Sequence, residues 1–252
     1  MRSIRYYRQL FHKWSKDLSH RGNVGWTTKS LHFFGLLLQK GAKVLMAYNG
    51  LKGIWIDVGA HYGEFTFEMA IHNPDLRVYA FEPNLKLAAE RFGLLPNFVM
   101  IPMAVAEIDG SMDFFINAND DSSSLLPLNS EGVRNWKGGE KLRIVEKITV
   151  PTIRLDTFMN LAGIAHVDYL EIDAQGADLS IVKSAGDRLK DIHKITLEVA
   201  ISPIPLYQGA ASKEEIVSYL DRAGFTLIHC QRQSFDQEEN LTFLRNPPAP
   251  IP

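Results

Sequence analysis

No other stretch of this chain narrows its fold as far as Ile54-Trp55-Ile56-Asp57-Val58-Gly59-Ala60-His61-Tyr62-Gly63-Glu64-Phe65-Thr66. It is an apolar run that stops at an acid, turns through two glycines four positions apart and enters a helical stretch. A short apolar run of this kind reads as a strand buried on both faces. Gly59 and Gly63 permit positive φ, so strand gives way to helix through a tight turn. Such a turn opens a β-α-β unit, and the carboxyl end of its strand is where open α/β sheets take ligands. The missing Cβ at both glycines is expected to leave room for a ligand against the backbone, and the Asp57 carboxylate to attract an ammonium group or organise water. A dinucleotide turn requires Gly-x-Gly-x-x-Gly with a pyrophosphate on the helix N-terminus. Only two of those glycines are here, and the acid before them repels phosphate.

The rest of the chain extends the pattern. Apolar runs at Ile54 to Val58, Arg77 to Phe81, Phe98 to Met103, Val167 to Ile172 and Ile192 to Val199 alternate with helical periodicity at Gly63 to Ile71, Leu85 to Phe92, Leu179 to Ser184 and Lys213 to Ala223. That order predicts an α/β fold, a doubly wound and mostly parallel sheet covered on both faces by crossover helices. Phe225 to Cys230 and Leu241 to Arg245, joined by the polar piece Gln233 to Asn240, are expected to close the sheet as a hairpin, giving seven strands and a mixed edge. Residues 118–147 break the alternation with Asp120-Asp121-Ser122-Ser123-Ser124, Asn129, Gly132 and Gly138-Gly139. A long irregular segment in a compact domain is a lid or binding loop, or else disordered; a substrate-side lid is expected here.

At 252 residues, with 46% hydrophobic and 22% charged residues, the chain suits one large globular domain, placed at 51–246, with the Pro-rich piece 247–252 as a frayed tail. Cys230 has no cysteine partner and no cleavable leader opens the sequence, so a cytoplasmic location is expected. The longest apolar stretch of the first fifty residues, Phe33 to Leu38, falls far short of the roughly 20 residues that cross a bilayer. Those fifty residues carry nine Lys and Arg against Asp17 alone, a surplus of eight, so the remainder of a chain of net charge −2 carries −10. Ile4, Tyr7, Leu10, Phe11 and Trp14 recur at helical steps between the basic residues, which predicts a basic amphipathic helical extension over 1–50. Such an extension caps the domain edge, packs in a homo-oligomer, or lies peripherally on a membrane or other anionic surface; the sequence leaves all three open.

A second acid completes the ligand pattern. The run Val78-Tyr79-Ala80-Phe81 ends in Glu82-Pro83-Asn84, and an acid at the end of the second strand accepts the hydroxyls of a ribose. Asp57 and Glu82 together favour a ligand with a ribose and a cationic amino-acid tail over one with phosphates.

The turn from Asp57 to Gly63 followed by Phe81-Glu82-Pro83 resembles the class I S-adenosylmethionine-dependent methyltransferases. The later segments Thr152-Ile153-Arg154-Leu155-Asp156-Thr157-Phe158, Asp168 to Asp178 and Leu197-Glu198-Val199 are similar to the FkbM family within that class, over roughly residues 53–245. His61, Glu171 and Asp178 depart from the family's common residues. The resemblance implies a Rossmann-like fold, S-adenosyl-L-methionine as cofactor, and O-methylation of a hydroxyl on a sugar, glycolipid, polysaccharide or natural product. It also implies that Asp57, Gly59, His61 and Gly63 surround the methionine part, that Glu82 holds the ribose, and that Ala104 and Val105 flank the adenine.

Methyl transfer to an alcohol needs the hydroxyl positioned in line and its proton removed. Asp173 and Glu198, at the ends of the fourth and fifth strands, are expected to point into one cleft and to supply the base, with His61 a third candidate. The two carboxylates are alternatively a helix cap and a salt bridge, or the ligands of a divalent metal; no metal-binding residue is assigned. Ser123, Ser124 and Tyr207 are expected on the acceptor side, Tyr207 stacking on a sugar ring or covering the core. Competing readings are a non-catalytic module docking through its basic arm, and a nicotinamide-dependent oxidoreductase. A nucleic-acid substrate is not expected, given the acidic body and the absence of an Asn-Pro-Pro-Tyr motif.

Overall fold

The computed structural model describes residues 50–247. Residues 1–49 of the helical extension expected over 1–50, and residues 248–252 of the tail expected over 247–252, lie outside the described residues. In chain order the elements are β1 (Gly53–Val58), α1 (Glu64–His72), β2 (Leu76–Phe81), α2 (Leu85–Ala88), β3 (Phe98–Ile101), β4 (Ala104–Val105), β5 (Gly110–Asn117), α3 (Ser130–Asn135), β6 (Ile144–Ile153), α4 (Leu155–Leu161), β7 (Tyr169–Ile172), α5 (Asp178–Ser184), β8 (Lys194–Ala200), α6 (Lys213–Arg222), β9 (Phe225–Gln233) and β10 (Glu238–Arg245).

Seven strands form the main sheet in the order β3-β2-β1-β7-β8-β10-β9. β1 pairs in parallel with both β2 and β7, while β10 runs antiparallel between β8 and β9. The doubly wound, mostly parallel sheet with a mixed edge is therefore present, and each of the seven apolar runs lies on one of its strands. The chain winds outward from β1 to β3 and then returns to start again at β7, so β1 and β7 flank the point where strand order reverses. At such a point the loops leaving adjacent strands diverge and open a crevice beyond the carboxyl ends. Here those ends are Val58 and Ile172, which stand opposite each other in register.

Both faces of the sheet are buried, as parallel strands require. One face packs Ile56, Val58, Leu170, Ile172 and Leu197 under α4, α5 and α6. The other packs Trp55, Val78, Ala80 and Tyr169 against Phe67, Met69 and Ala70 of α1. Burial of each large side chain contributes about 1.5–3 kcal/mol. Among the described residues no helix is long and apolar enough to cross a membrane.

A second sheet, β4-β6-β5, is a feature the sequence reading missed. β5 and β6 mix apolar and polar residues without a regular alternation and cover only the small cluster of Ala104, Phe114 and Val150. The segment 118–147 is also less irregular than expected, because it contains α3 and the first turn-to-strand residues of β6. Ser122 and Ser124 within it are buried, while Ser123 stays on the cleft.

The two glycines of the first turn are required for a different reason from the one expected. Gly59 has φ +79°, and a Cβ there would lie 2.0 Å from the Asp173 carbonyl oxygen. Gly63 has φ +64°, and its Cβ would lie 2.8 Å from the Phe98 ring. Neither absent Cβ points at space for a ligand; both let the turn sit against the rest of the protein. Gly59→Ala is therefore expected to destabilise the fold by about 3 kcal/mol or more, from left-handed strain plus a backbone clash. Gly138, at φ +91° with nothing near its Cβ position, is the control in which only the strain applies. Chemical denaturation of both alanine variants measures the difference, and equal losses would remove the packing explanation.

Candidate active site

A cleft of about 540 Å3, open to solvent, occupies the crevice at the switch point. Of the residues singled out from sequence, Gly59, His61, Glu82, Ala104, Val105, Ser123 and Asp173 line it. Asp57, Gly63, Ser124, Tyr207 and Glu198 do not. Its remaining walls are an apolar group, including Phe81, Met103, Phe114, Leu125 and Ile181, and a polar group of Asp120, Asp121 and Gln175.

Glu82 follows directly on β2 and is 6% exposed. Its Oε2 accepts the His61 N–H at 2.9 Å and its Oε1 accepts the Asn84 N–H at 2.8 Å. Two backbone donors thus fix the carboxylate plane at the cleft wall. A carboxylate has about four acceptor sites, so bonding to two N–H groups does not exhaust it. His61 reaches Glu82 because it adopts the left-handed conformation, φ +56°. Its ring lies between acids, with Nδ1 3.5 Å from Glu64 and Nε2 3.3 Å from Asp120.

Asp57 departs from expectation. Its buried carboxylate lies beneath the turn and accepts the hydroxyl proton of Thr66, in the first turn of α1. Gly63 offers that helix no side-chain cap, so an acid near the helix N-terminus interacts favourably with the exposed N–H groups. Asp57 orders the turn and does not line the cleft.

The cleft wall where an acceptor was expected centres on a residue not singled out from sequence. Gln175 is 5% exposed, and its Nε2 donates to Asp173 Oδ1 at 2.7 Å and to Glu198 Oε2 at 3.2 Å. Its Oε1 accepts from the Tyr207 hydroxyl at 2.9 Å, which also faces the Ser122 carbonyl at 2.8 Å. Asp173 stands on the cleft wall. Glu198 is buried behind Gln175, with its other oxygen bonded by the Gln233 amide, and does not share the cleft as expected. A divalent cation between the two carboxylates is not supported either, because an amide donor holds that position. No group of three or more His, Cys, Asp or Glu suited to a metal occurs among the described residues.

Tyr207 is 4% exposed, so it offers no face to a sugar and instead joins this network. Ser124 is likewise internal, donating from Oγ to the Gln175 carbonyl at 2.8 Å. Ser123 remains on the cleft, where its hydroxyl accepts the Asn117 N–H. The signal available for Gln175 was positional: a polar residue two past a strand-end acid and just before a glycine.

Asp178, at the start of α5, is buried beneath this loop and accepts the N–H groups of Ala174 and Gly176. Burial, and secondly the charge of Asp173, push its carboxyl from the ordinary 3.8 up to about 7. Between those values the folded protein keeps a proton that the unfolded chain has lost. Stability is therefore expected to fall as pH rises through this window, at roughly 1.4 kcal/mol per unit, and to level off above it. Asp178→Asn is expected to flatten that slope. Urea midpoints from pH 4.5 to 8 measure it, and an unchanged slope would reject the assignment.

Four carboxylates, Glu82, Asp120, Asp121 and Asp173, line the cleft, and no Lys or Arg does so among the described residues. Such a lining repels phosphates and suits a cationic nucleoside, with the apolar wall at Phe81 and Val105 available to a purine. The fold and cleft thus describe an α/β enzyme for a phosphate-free nucleoside, and similarity to known proteins identifies the enzyme class.

The family model described as Methyltransferase FkbM domain matches residues 57–227, more than half of the chain. The chain belongs to the FkbM family of S-adenosylmethionine-dependent methyltransferases. The 2-O-methyltransferase NoeI of Sinorhizobium fredii is 26% identical over 172 residues, covering 66% of this chain and 70% of that protein. Among solved structures, M. capricolum TrmK with S-adenosylhomocysteine has a TM-score of 0.44 at 10% identity, covering 81% of this chain and 67% of that one. Magnesium protoporphyrin IX methyltransferase (ChlM) of Synechocystis PCC 6803 has a TM-score of 0.41 at 14% identity, covering 94% and 91%.

Proposed function

We propose that this enzyme methylates a hydroxyl group of a sugar, glycolipid, polysaccharide or natural product, with Asp173 as the general base. The observation that carries the reading is a half-buried carboxylate on the cleft wall, beyond β7, whose Oδ1 is held by an amide. The 2-O-methyltransferase activity in the name of the Sinorhizobium relative supports a hydroxyl acceptor.

S-adenosylmethionine, when bound, supplies an electrophilic methyl on a sulfonium. Glu82 would hold its ribose, Ala104 and Val105 would flank its adenine, and the backbone from Gly59 to His61 would border its methionine part. Asp173 takes the proton of the acceptor hydroxyl as the new carbon–oxygen bond forms and the methyl–sulfur bond breaks. His61 lines the same cleft between two acids and is the alternative base. The test is transfer from labelled S-adenosylmethionine to cell fractions separated into lipid, glycan and small-molecule pools. Label in alkali-stable ethers of one of these pools is expected; label confined to protein or nucleic acid would reject the acceptor class.

A further inference from the structure

We propose that Gln175 is the positioning residue of this reaction, a single side-chain amide that sets the orientation of Asp173 and couples it to Glu198. The proposal rests on Asp173 being the base.

An amide NH2 has two protons, and here each is directed to a different carboxylate, Asp173 Oδ1 at 2.7 Å and Glu198 Oε2 at 3.2 Å. Two oxygens that reach one nitrogen at those distances lie within about 6 Å of each other, a separation at which like charges repel. The amide between them offsets that repulsion and fixes the rotation of the Asp173 carboxylate.

Which end of the amide faces the acids is determined by the carboxylates, which only accept and so take the NH2 group. The Tyr207 hydroxyl stands 2.9 Å from Oε1 and 2.8 Å from the Ser122 carbonyl, its one proton serving both acceptors. A flipped amide would set its oxygen against two acids. The Gln175 backbone is restrained as well, by Ser124 Oγ donating to its carbonyl at 2.8 Å and by a left-handed φ of +54°. Glu198 is held from its far side by Gln233. Every partner therefore selects the same arrangement, and its output is the direction in which Asp173 meets the acceptor.

The test uses the full chain, labelled S-adenosylmethionine and the pool that accepts label. Gln175→Met, similar in length and without a donor, is expected to lower kcat about 10- to 100-fold, the scale on which misplaced groups cost rate. S-adenosylhomocysteine affinity and acceptor KM are expected to stay unchanged. In an Asp173→Asn background the same substitution is expected to add no further loss, because it acts through Asp173. Should Gln175→Met not fold, Tyr207→Phe keeps the buried ring and removes the hydroxyl that holds the amide oxygen. A smaller kcat loss, also absent in the Asp173→Asn background, is expected from it. Unchanged kcat in the folded variant, or losses that multiply with Asp173→Asn, would overturn the proposal. Normal turnover by Asp173→Asn alone would instead overturn the assignment of the base, so the two failures are distinguishable.

Discussion

Replacing Glu82 with alanine is expected to weaken S-adenosylmethionine binding by about 1.5–3 kcal/mol, the usual range for a hydrogen bond to a charged group. That corresponds to roughly 10- to 150-fold in Kd. The carboxylate is aimed by the His61 and Asn84 N–H groups, so its position does not depend on the ligand. Removing it strips the ribose of its acceptor and leaves two backbone donors without theirs. Glu82→Gln keeps the shape and removes the charge, and it turns an NH2 toward one of those donors. Affinity is expected to fall in both variants by titration calorimetry. Full affinity in Glu82→Ala would remove the ribose assignment.

Asp173→Asn is expected to reduce turnover about 10²- to 10⁴-fold, the span attributed to general base catalysis, while cofactor affinity stays near that of the parent. Asparagine keeps an oxygen for the Gln175 amide but loses the negative charge and with it the capacity to take a proton. The packing around Gln175, Tyr207 and Ser124 therefore survives the change. Retained turnover would transfer the role to His61, which lines the same cleft, rather than to Glu198, which stands behind Gln175.

The main sheet was legible because parallel strands are buried on both faces, and continuous apolar runs such as Ile54 to Val58 admit few other readings. β5 and β6 were not, since charged residues such as Asp113, Glu146 and Lys147 interrupt their apolar ones and the pair covers little. The cleft-lining positions of Glu82, Ala104, Val105 and Asp173 follow from strand ends at the switch point, which sequence order predicts. What sequence order does not predict is which way a side chain turns after the strand ends. Asp57 turns under α1, Glu198 turns toward the amides of Gln175 and Gln233, and the Tyr207 hydroxyl turns inward to Gln175. Each choice follows from a hydrogen-bond partner on another element, 9 positions away for Asp57 and 23 to 35 for Glu198 and Tyr207. The glycine turn gives the same lesson, because the reason for Gly59 is the Asp173 carbonyl, over a hundred positions away.

A crystal of the full chain grown with S-adenosylhomocysteine reads the central assignment directly. Ribose hydroxyls on the Glu82 carboxylate, with the adenine beside Ala104 and Val105, are expected. An empty cleft with the nucleoside bound elsewhere, or a pyrophosphate ligand taken into the same crevice, would contradict it.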